Sequence, residues 1–213
     1  GGNTWTAYPA AGITGLPEGD SSLKVRVKTL TDNIDEADET FDLTVELSSA
    51  GNTLSATGQA TILDNDVPTV SVNAGVANNN IDINEGDKGI FTVDVSKAAA
   101  GSTLALQLNN GSALVGDDYA AAFEVSTDGG ANWTAYSSAL TLSAGVSQVL
   151  VRATTLDDSI NEPNETFTLK ADLNSNGQGY SATGQATILD NDVPTVSVNA
   201  GVANNNIDIN EGD

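Results

Sequence analysis

The chain contains no cysteine, histidine or methionine in its 213 residues. Without cysteine it has neither disulfides nor thiolates that could bind a metal or act as nucleophiles. Without histidine it lacks the usual general base and the commonest ligand of transition metals. The metal ligands that remain are oxygen atoms, which suit hard cations such as calcium.

Basic residues are also scarce, with 7 Lys and Arg against 29 Asp and Glu and a net charge of −22. Nucleic acids and anionic membranes both require a positive protein surface, so neither is expected as a partner. No apolar run approaches the roughly 20 residues that a membrane-spanning helix needs. We therefore expect no membrane insertion in this region, and divalent cations as the natural complement of the charge.

One segment of the chain is repeated without change, because residues 55–87 recur at 181–213, a shift of 126 positions. Such self-similarity is typical of tandem arrays, which serve as rods, spacers or display scaffolds. We predict the C-terminal part of one repeat at 1–66, a complete repeat at 67–192 and the start of another at 193–213. Neither terminal part can complete a domain within this sequence, so we expect either that more of the chain lies outside it or that neighbouring chains complete the fold.

The complete repeat is predicted to be an all-β, antiparallel sandwich. Apolar residues alternate with polar ones, as in Phe91, Val93 and Val95, and turn residues interrupt the pattern about every ten positions. An inserted hairpin is expected from residues 123–126 and 133–136. The predicted strands are 69–73, 89–95, 103–108, 139–142, 148–155, 166–173 and 185–189.

The inserted hairpin contains Ser126-x-Asp128-x-Gly130-x-x-Trp133, which resembles the Asp-box of sialidase propellers and many extracellular proteins. The match is short. We interpret it as a turn in which the aspartate caps the backbone and the tryptophan packs on the sheet, because turn residues are selected for geometry. No catalytic role is assigned to it.

Acidic residues occur in four clusters, at 84–87, 116–119, 157–165 and 190–192, each beyond the end of a predicted strand. In a sandwich of alternating strand directions these four positions lie at the same end. Carboxylates held together without a cation would repel one another and raise each other's pKa values. A single cluster is typical of a solvated acidic loop, but four at one end predict calcium binding.

In combination these motifs resemble the Calx-beta domain: Asn-Glu-Gly-Asp at 84–87, Asp-Asp-Tyr at 117–119, the acidic stretch 157–169 and Ala-Thr-Ile-Leu-Asp-Asn-Asp at 186–192. The resemblance implies an immunoglobulin-like sandwich that binds Ca²⁺ through these loops. The candidate ligands in the complete repeat are Glu85, Asp87, Asp117, Asp118, Asp157, Asp158, Glu162, Glu165, Asp190 and Asp192.

The first repeat has its own candidate ligands, which are Asp32, Glu36, Glu39, Asp64 and Asp66. Thr31 replaces the equivalent of Asp157, so one donor is lost there, and Asp35 and Asp38 are possible substitutes. Because Asp192 is followed after two residues by the next predicted strand, calcium would lie at the joint between repeats. We expect an ion-bound array to be a stiff rod and an ion-free one to be flexible.

The resemblance also implies a biological setting. Acidic, cysteine-free Calx-beta arrays are similar to the extender regions of large bacterial surface adhesins and of extracellular matrix or filament proteins. We therefore expect a secreted or cell-surface location, and neighbouring repeats or identical chains in a filament as partners. Donation of a strand between chains is one way in which such a filament could form.

Two other classes of function are open. A glycan-binding module would use Trp133 and Tyr136, or Trp5 and Tyr8, as exposed stacking platforms. A hydrolase would need two opposed carboxylates in a cleft, one of them with a raised pKa. The acidic residues recur in each repeat, as structural sites do, so we expect no enzymatic activity.

Overall fold

The computed structural model describes residues 4–15, 19, 22–196 and 198, which fall in two compact units, Gly1–Asp32 and Asn33–Asp213. Most of the predicted repeat start at 193–213 lies outside the described residues. All strands described belong to the second unit, and no described helix is long and apolar enough to cross a membrane. The strands are β1 (Glu39–Ser49), β2 (Asn52–Ile62), β3 (Thr69–Val72), β4 (Asn80–Asn84), β5 (Lys88–Ser96), β6 (Thr103–Asn110), β7 (Glu124–Ser126), β8 (Thr134–Ala135), β9 (Leu140–Thr141), β10 (Gln148–Thr154), β11 (Glu165–Ser175) and β12 (Gln178–Leu189).

The predicted complete repeat folds as two facing sheets. One has the strand order β3-β5-β10-β7-β8, and the other has the order β4-β12-β11-β6-β9. Within the described residues every strand pair in these sheets is antiparallel except β4 with β12. The prediction of an all-β sandwich is confirmed.

Apolar side chains from alternate strand positions fill the space between the sheets. Phe91 and Val93 from one sheet, and Phe167 and Leu169 from the other, are all fully buried. The ring of Phe167 stacks on Tyr119 with centroids 4.4 Å apart and meets the edge of Phe91 at 5.8 Å. Each such buried side chain stabilises the fold by about 1.5–3 kcal/mol relative to exposure.

The inserted hairpin is present as β7 and β8, and β7 extends the first sheet beside β10. Its turn is closed by Asp128, which accepts hydrogen bonds from the Ser126 hydroxyl at 2.7 Å and from the Asn132 backbone N–H at 2.9 Å. Donation by the Asn132 backbone and side chain, and then by Ser126, lowers the pKa of Asp128 to about 2. The aspartate therefore holds a turn, as the interpretation of this motif predicts.

One strand, β4, is absent from the sequence prediction, and β12 is longer than the predicted 185–189. Residues 80–84 read Asn-Ile-Asp-Ile-Asn, and the asparagine and aspartate residues hide the short alternating pattern because they are rare in strands. Its parallel partner β12 is more than a hundred positions away, as in the pair Gln185–Asn80. The first acidic cluster consequently follows β4, whereas the prediction placed it after the strand at 69–73.

Asn73 lies where the chain passes from β3 in one sheet to β4 in the other. Its φ of 52° is left-handed, a conformation that asparagine tolerates better than most residues. The buried side chain accepts a hydrogen bond from the Thr92 N–H at 3.1 Å and donates to the carbonyl groups of Asn79 and Gln185. One amide thus connects both sheets.

A separate two-stranded hairpin, β1–β2, belongs to the predicted first repeat. Its register runs from Glu39–Ile62 to Ser49–Asn52, which equals the register of β11–β12 shifted by 126 positions. Its turn residues Ala50 and Gly51 have φ values of 49° and 82°. Most of its side chains are exposed.

The joint between the predicted first and second repeats contains direct contacts. Only Val67 and Pro68 separate Asp66 from β3. The ammonium group of Lys97 lies 2.9 Å from the buried Asp66 carboxylate. Asp35 accepts a hydrogen bond from the Ser175 hydroxyl at 2.7 Å. These contacts connect residues of the predicted first repeat to residues of the complete repeat.

Candidate metal centre

The acidic loops of the complete repeat lie at one end of the sandwich, because β4 and β12 are parallel and end side by side. The backbone N–H of Glu85, directly after β4, donates to the carbonyl of Leu189 at the end of β12 at 3.0 Å. This pairing places Glu85 beside Asp190 and Asp192. The position of the first acidic cluster is therefore set by a strand that the sequence pattern does not predict.

Glu85, Asp190 and Asp192 form the first carboxylate group, with one oxygen from each within 4.8 Å of the others. The side chain of Asn191 donates to the backbone carbonyl of Glu85 at 3.2 Å and keeps the loops together. Glu85 Oε2 and Asp192 Oδ2 are buried without a hydrogen-bond donor among the described residues. A buried carboxylate oxygen without a donor is costly, so these atoms favour a cation at this position.

Asp118, Glu162 and Glu165 form the second carboxylate group, with the same 4.8 Å limit between their oxygens. Asp118 is fixed by the backbone N–H of Leu114, which donates to Oδ2 at 2.6 Å. Glu165 is the first residue of β11, so its position is set by the sheet.

The two groups are neighbours. The backbone N–H of Glu162 donates to Asp190 Oδ1 at 3.3 Å, which connects the second group to the first. A small cleft lies between them and is lined by Glu85, Asp118, Leu156, Glu162, Pro163, Glu165, Ile188 and Asp190. The arrangement is one acidic site with two parts.

Three carboxyl groups in this site have raised pKa values. Desolvation raises the pKa of Glu165 to about 7, and hydrogen bonding to Asp118 and repulsion by Asp118, Glu162 and Glu85 add to it. Desolvation also raises the pKa of Glu85, with further repulsion from Asp158, Asp192 and Asp190. The pKa of Asp192 is raised by desolvation and by the neighbouring aspartates. The site therefore resists holding its full negative charge without a cation.

Two further predicted ligands, Asp157 and Asp158, border the first group. The backbone N–H of Asp158 donates to Glu85 Oε1 at 3.3 Å, and Asp158 Oδ1 accepts from Ile160 at 2.6 Å. Gly86 has a φ of 78°, and a side chain there would come within 3.0 Å of Asp157. This glycine allows the close approach of the two loops.

The remaining predicted ligands of the complete repeat, Asp87 and Asp117, belong to neither group of three. Asp87 Oδ2 accepts a hydrogen bond from the Asn84 side chain at 3.2 Å. The backbone carbonyl of Asp87 accepts from both the N–H and the hydroxyl of Thr155. Thr155 and Asn191 are therefore positioning residues that are not among the predicted ligands, because neither is acidic, although Asn191 lies between two of those ligands.

The predicted ligands of the first repeat are arranged differently. Within the described part of the chain no group of three carboxylates forms among them. Asp66 is paired with Lys97, and Asp64 Oδ2 accepts from the Asp66 backbone N–H at 3.1 Å. Asp38 accepts from Asp64, and Glu39 is exposed at the start of β1. Asp32 belongs to the first unit and Glu36 to the second, and both make contacts within the protein.

The structure does not support the alternative in which the aromatic residues of the inserted hairpin are exposed stacking platforms. Trp133 is half-buried, and the Arg152 guanidinium lies 4.2 Å from its ring centroid. Tyr136 stacks on Phe123 with centroids 4.8 Å apart, and its hydroxyl accepts from the Leu106 N–H at 2.9 Å. Both rings are used in packing, which leaves little free ring surface for a sugar.

In the first unit, the two aromatic side chains Trp5 and Tyr8 differ in exposure. The Arg26 guanidinium lies 4.7 Å from the centroid of the Trp5 ring, and Trp5 is 39% exposed. Tyr8 is 72% exposed. Arg26 covers one face of Trp5, so Tyr8 is the more accessible of these two rings.

The protein defined by these features is a two-sheet β-sandwich with a cation-attracting acidic end. The Calx-beta domain family matches residues 16–68 and 64–193, which together cover more than half of the chain. The chain belongs to the Calx-beta domain family, and the two successive matches meet near the predicted repeat boundary.

Similar solved structures include the apo-form Calx CBD1 domain, which is 17% identical over 59% of this chain and 98% of that chain, with a TM-score of 0.43. CBD12 from CALX1.2 is also 17% identical, over 58% of this chain and 46% of that chain, with a TM-score of 0.41. This chain thus spans less than half the length of CBD12. Comparison with curated protein sequences finds no match.

Proposed function

We propose that this chain is a calcium-binding structural region of a large secreted or cell-surface protein, in which calcium stiffens an array used for adhesion, biofilm or matrix. Calx-beta domains are calcium-binding β-sandwich modules. The observation that carries the proposal is the pair of buried, unpartnered oxygens Glu85 Oε2 and Asp192 Oδ2, within a site whose carboxyl pKa values are raised.

Calcium fits the donor set better than other common cations. It accepts six to eight oxygen ligands in flexible geometry, whereas magnesium requires a nearly regular octahedron. The first carboxylate group would hold one ion and the second group another. A bound cation would offset the repulsion within each group and supply a partner for the two buried oxygens.

The short connection between repeats supports a mechanical role for the array. In the complete repeat Asp192 is followed by Val193 and Pro194, as Asp66 is followed by Val67 and Pro68 before β3. Proline fixes its own backbone φ, so a two-residue connection with one proline has little freedom. Calcium held by Asp190 and Asp192 would restrain the residues directly before this connection.

The proposal of an extracellular location is motivated by the composition of the chain and by the setting that the resemblance implies. Extracellular modules bind calcium with dissociation constants of roughly 10⁻⁴–10⁻³ M, which is sufficient where calcium is millimolar. A chain without cysteine needs no oxidative step to fold outside the cell. Calcium would then favour the folded state after export, through its binding to that state alone.

Thermal unfolding of the 213-residue chain with calcium, magnesium or chelator tests the calcium site. We expect a calcium-specific rise in melting temperature, equivalent to about 2.7 kcal/mol when calcium is a hundredfold above its dissociation constant. Asp190→Asn should remove most of the rise, and Asp64→Asn should remove less. Asp172→Asn is the control, because Asp172 pairs with Lys170 on β11, outside both carboxylate groups.

An unchanged melting temperature in calcium would contradict the proposal, as would equal losses in Asp190→Asn and Asp172→Asn. The mechanical part is tested separately by small-angle scattering from a longer array. We expect a long persistence length with calcium and a short one with chelator. An equal persistence length in the two conditions would contradict the proposal that calcium stiffens the array.

A further inference from the structure

One end of the complete repeat, opposite its acidic end, has a polar surface that contacts the predicted first repeat. The surface consists of Lys97, directly after β5, Ser175, the last residue of β11, and Asn176, in the turn that leads to β12. Its partners are Asp35 and Asp66, and all of these residues lie in the same compact unit. Acidic residues of one repeat therefore meet the opposite end of the next.

Asp35 is held through three of its polar atoms. Its Oδ2 accepts hydrogen bonds from the Ser175 hydroxyl at 2.7 Å and from the Asn176 side chain at 3.0 Å. Its backbone carbonyl accepts from the same Asn176 side chain at 2.8 Å, and its backbone N–H donates to the Lys97 carbonyl at 2.8 Å. Hydrogen bonds to an ionised group are stronger than neutral ones. Together these bonds fix both the position and the direction of the loop.

Ser175 is oriented for this contact by its own repeat. It is fully buried, and its hydroxyl oxygen accepts hydrogen bonds from the Ala99 N–H at 3.2 Å and from the Ser102 hydroxyl at 3.0 Å. A hydroxyl has two acceptor sites and a single donor. Because both acceptor sites of Ser175 are used within the complete repeat, its hydrogen is directed to Asp35. The surface therefore selects an acceptor at this position, which a carboxylate provides.

Lys97 contributes an unusual backbone conformation and a charge. Its φ of 57° is left-handed, a conformation that a lysine keeps only where its surroundings enforce it. From this position its carbonyl accepts the Asp35 N–H, and its ammonium group lies 2.9 Å from the buried Asp66 carboxylate. A buried charge without a partner is costly, so this ion pair favours the contact between the repeats.

We propose that Lys97, Ser175 and Asn176 form a socket for the acidic loop of the preceding repeat, and that this socket fixes the orientation of the two repeats without calcium. The partner it fits is a loop with an aspartate at the position of Asp35 and a second aspartate at the position of Asp66. Each bond of the contact is made between protein groups, so none requires an ion. The inference goes beyond the proposed function, because it adds a restraint that remains when calcium is removed.

The two repeats differ on both sides of this contact. Asn161 lies 126 positions after Asp35, and Ala50 lies 126 positions before Asn176. Asn161 has no charge, and the alanine side chain has no hydrogen-bond donor. The full contact requires an aspartate on one repeat and an asparagine on the next, so it is a property of particular joints. Joints that lack either side chain would depend on calcium, and an array that contains them would still soften in chelator.

The first test is amide hydrogen exchange at the Asp35 N–H, measured by NMR on the 213-residue chain in chelator. We expect this amide to be protected, because its exchange requires the socket to open. Asn176→Gly removes two of the bonds to Asp35 and should speed the exchange by roughly tenfold or more, the equivalent of one hydrogen bond to a charged group. Glycine adopts the left-handed conformation of Asn176 readily, so the turn should be kept. Ala50→Gly is the matched control, since it makes the same change in the equivalent turn of the first repeat.

The contribution of Lys97 is tested in the same way. Lys97→Asn removes the ammonium group but keeps a residue that tolerates a left-handed φ. It should also speed the exchange at Asp35, because Asp66 would then be buried without a cation when the repeats are in contact. Lys170→Asn is the control, because Lys170 pairs with Asp172 on β11 and not with the first repeat. Exchange at the wild-type rate in Lys97→Asn would remove Lys97 from the socket and contradict the proposal.

A second measurement reads the orientation of the repeats. Because the chain has no cysteine, Glu46→Cys on β1 and Ala105→Cys on β6, both exposed, provide two unique sites for spin labels. We expect a narrow distribution of distances between the labels in chelator. Asp35→Ala should broaden it, because the carboxylate that the socket binds is lost. Asp35 lies outside the described strands, so this substitution leaves them intact.

Three further results would overturn the proposal: an Asp35 N–H without protection in the wild-type chain, exchange that is unchanged in Asn176→Gly, or a distance distribution that Asp35→Ala leaves unchanged. Equal effects of Ala50→Gly and Asn176→Gly would also overturn it, because they would indicate a general response of the turns. The calcium-dependent rise in melting temperature depends on the acidic end of the complete repeat and should persist in Asn176→Gly. The socket and the calcium site can therefore fail separately.

Discussion

The β1–β2 and β11–β12 hairpins are equivalent elements of two repeats in one chain, and they differ in burial. They have the same register, and residues 55–62 are identical to 181–188. One hairpin stands as a two-stranded sheet with exposed side chains, whereas the other lies within a five-stranded sheet and faces the core. Pairing within a hairpin therefore depends on its own sequence and turn, and burial depends on the opposite sheet.

The largest expected difference between the hairpins comes from their phenylalanines. Phe167 is fully buried between Phe91 and Tyr119, whereas its counterpart Phe41 is half-buried on β1. Phe167→Ala should lower the free energy of unfolding by about 3–5 kcal/mol, the usual cost of removing a buried phenylalanine. Phe41→Ala should cost clearly less. Urea unfolding of both variants measures the difference.

Equal destabilisation by the two substitutions would show that both hairpins belong to closed cores in solution. That result would contradict the difference in burial between the two hairpins.

A smaller difference is expected between Glu165 on β11 and its counterpart Glu39 on β1, in how each affects the pH dependence of stability of the ion-free protein. The pKa of Glu165 in the folded state is about 7, above the ordinary value of 4.5. The folded state therefore holds a proton over a range in which the unfolded chain has lost it. The stability from this group is complete below about 4.5 and is lost as pH rises through about 7.

We accordingly expect the melting temperature in chelator to fall between pH 4.5 and 7, and the fall to be smaller in Glu165→Gln. Glu39 is the equivalent residue of the first repeat and is exposed, so Glu39→Gln should keep the wild-type profile. Thermal scans across this range measure the effect. A profile in Glu165→Gln that matches the wild type would exclude Glu165 as its source.

The smallest expected effect concerns the two hairpin turns. Ala50 and Asn176 occupy the same left-handed position, with φ values of 49° and 47°. Alanine is strained there by roughly 1–2 kcal/mol, and asparagine by less. Ala50→Asn should therefore slow local opening of β1–β2, corresponding to about 1 kcal/mol or less. Amide hydrogen exchange of β1 and β2 measures the change, and unaltered exchange rates would argue against strain at Ala50.

Much of the sandwich follows from alternating apolar residues, because each of those strands has one face in the core. Val93 and Leu169, for example, are buried where the pattern predicts. β4 does not follow from the pattern, since its residues are mostly polar and its pairing with β12 is long-range. The first half of β12 is a strand because it pairs with β11, and not because it has an alternating apolar pattern of its own.

The acidic end is predictable from the positions of the loops, but its division into two groups is not. That division depends on side-chain directions, such as those of Glu162 towards Asp118 and of Asp192 towards Glu85. The covered face of Trp133 is equally unpredictable, because it depends on Arg152 of another strand. The assignment of the six residues of the two carboxylate groups as calcium ligands stays a prediction.

The direction of the terminal strands of the complete repeat determines how it would respond to pulling. Thr69, where β3 begins, pairs with Ser96 at one end of the sandwich, and β12 ends at the acidic end opposite. Tension applied through the two ends would pull along β3 and β12, while their ladder bonds run across the strands. The bonds of each ladder would be loaded together in shear rather than broken one after another. Such loading in shear would suit the mechanical role proposed for the repeat.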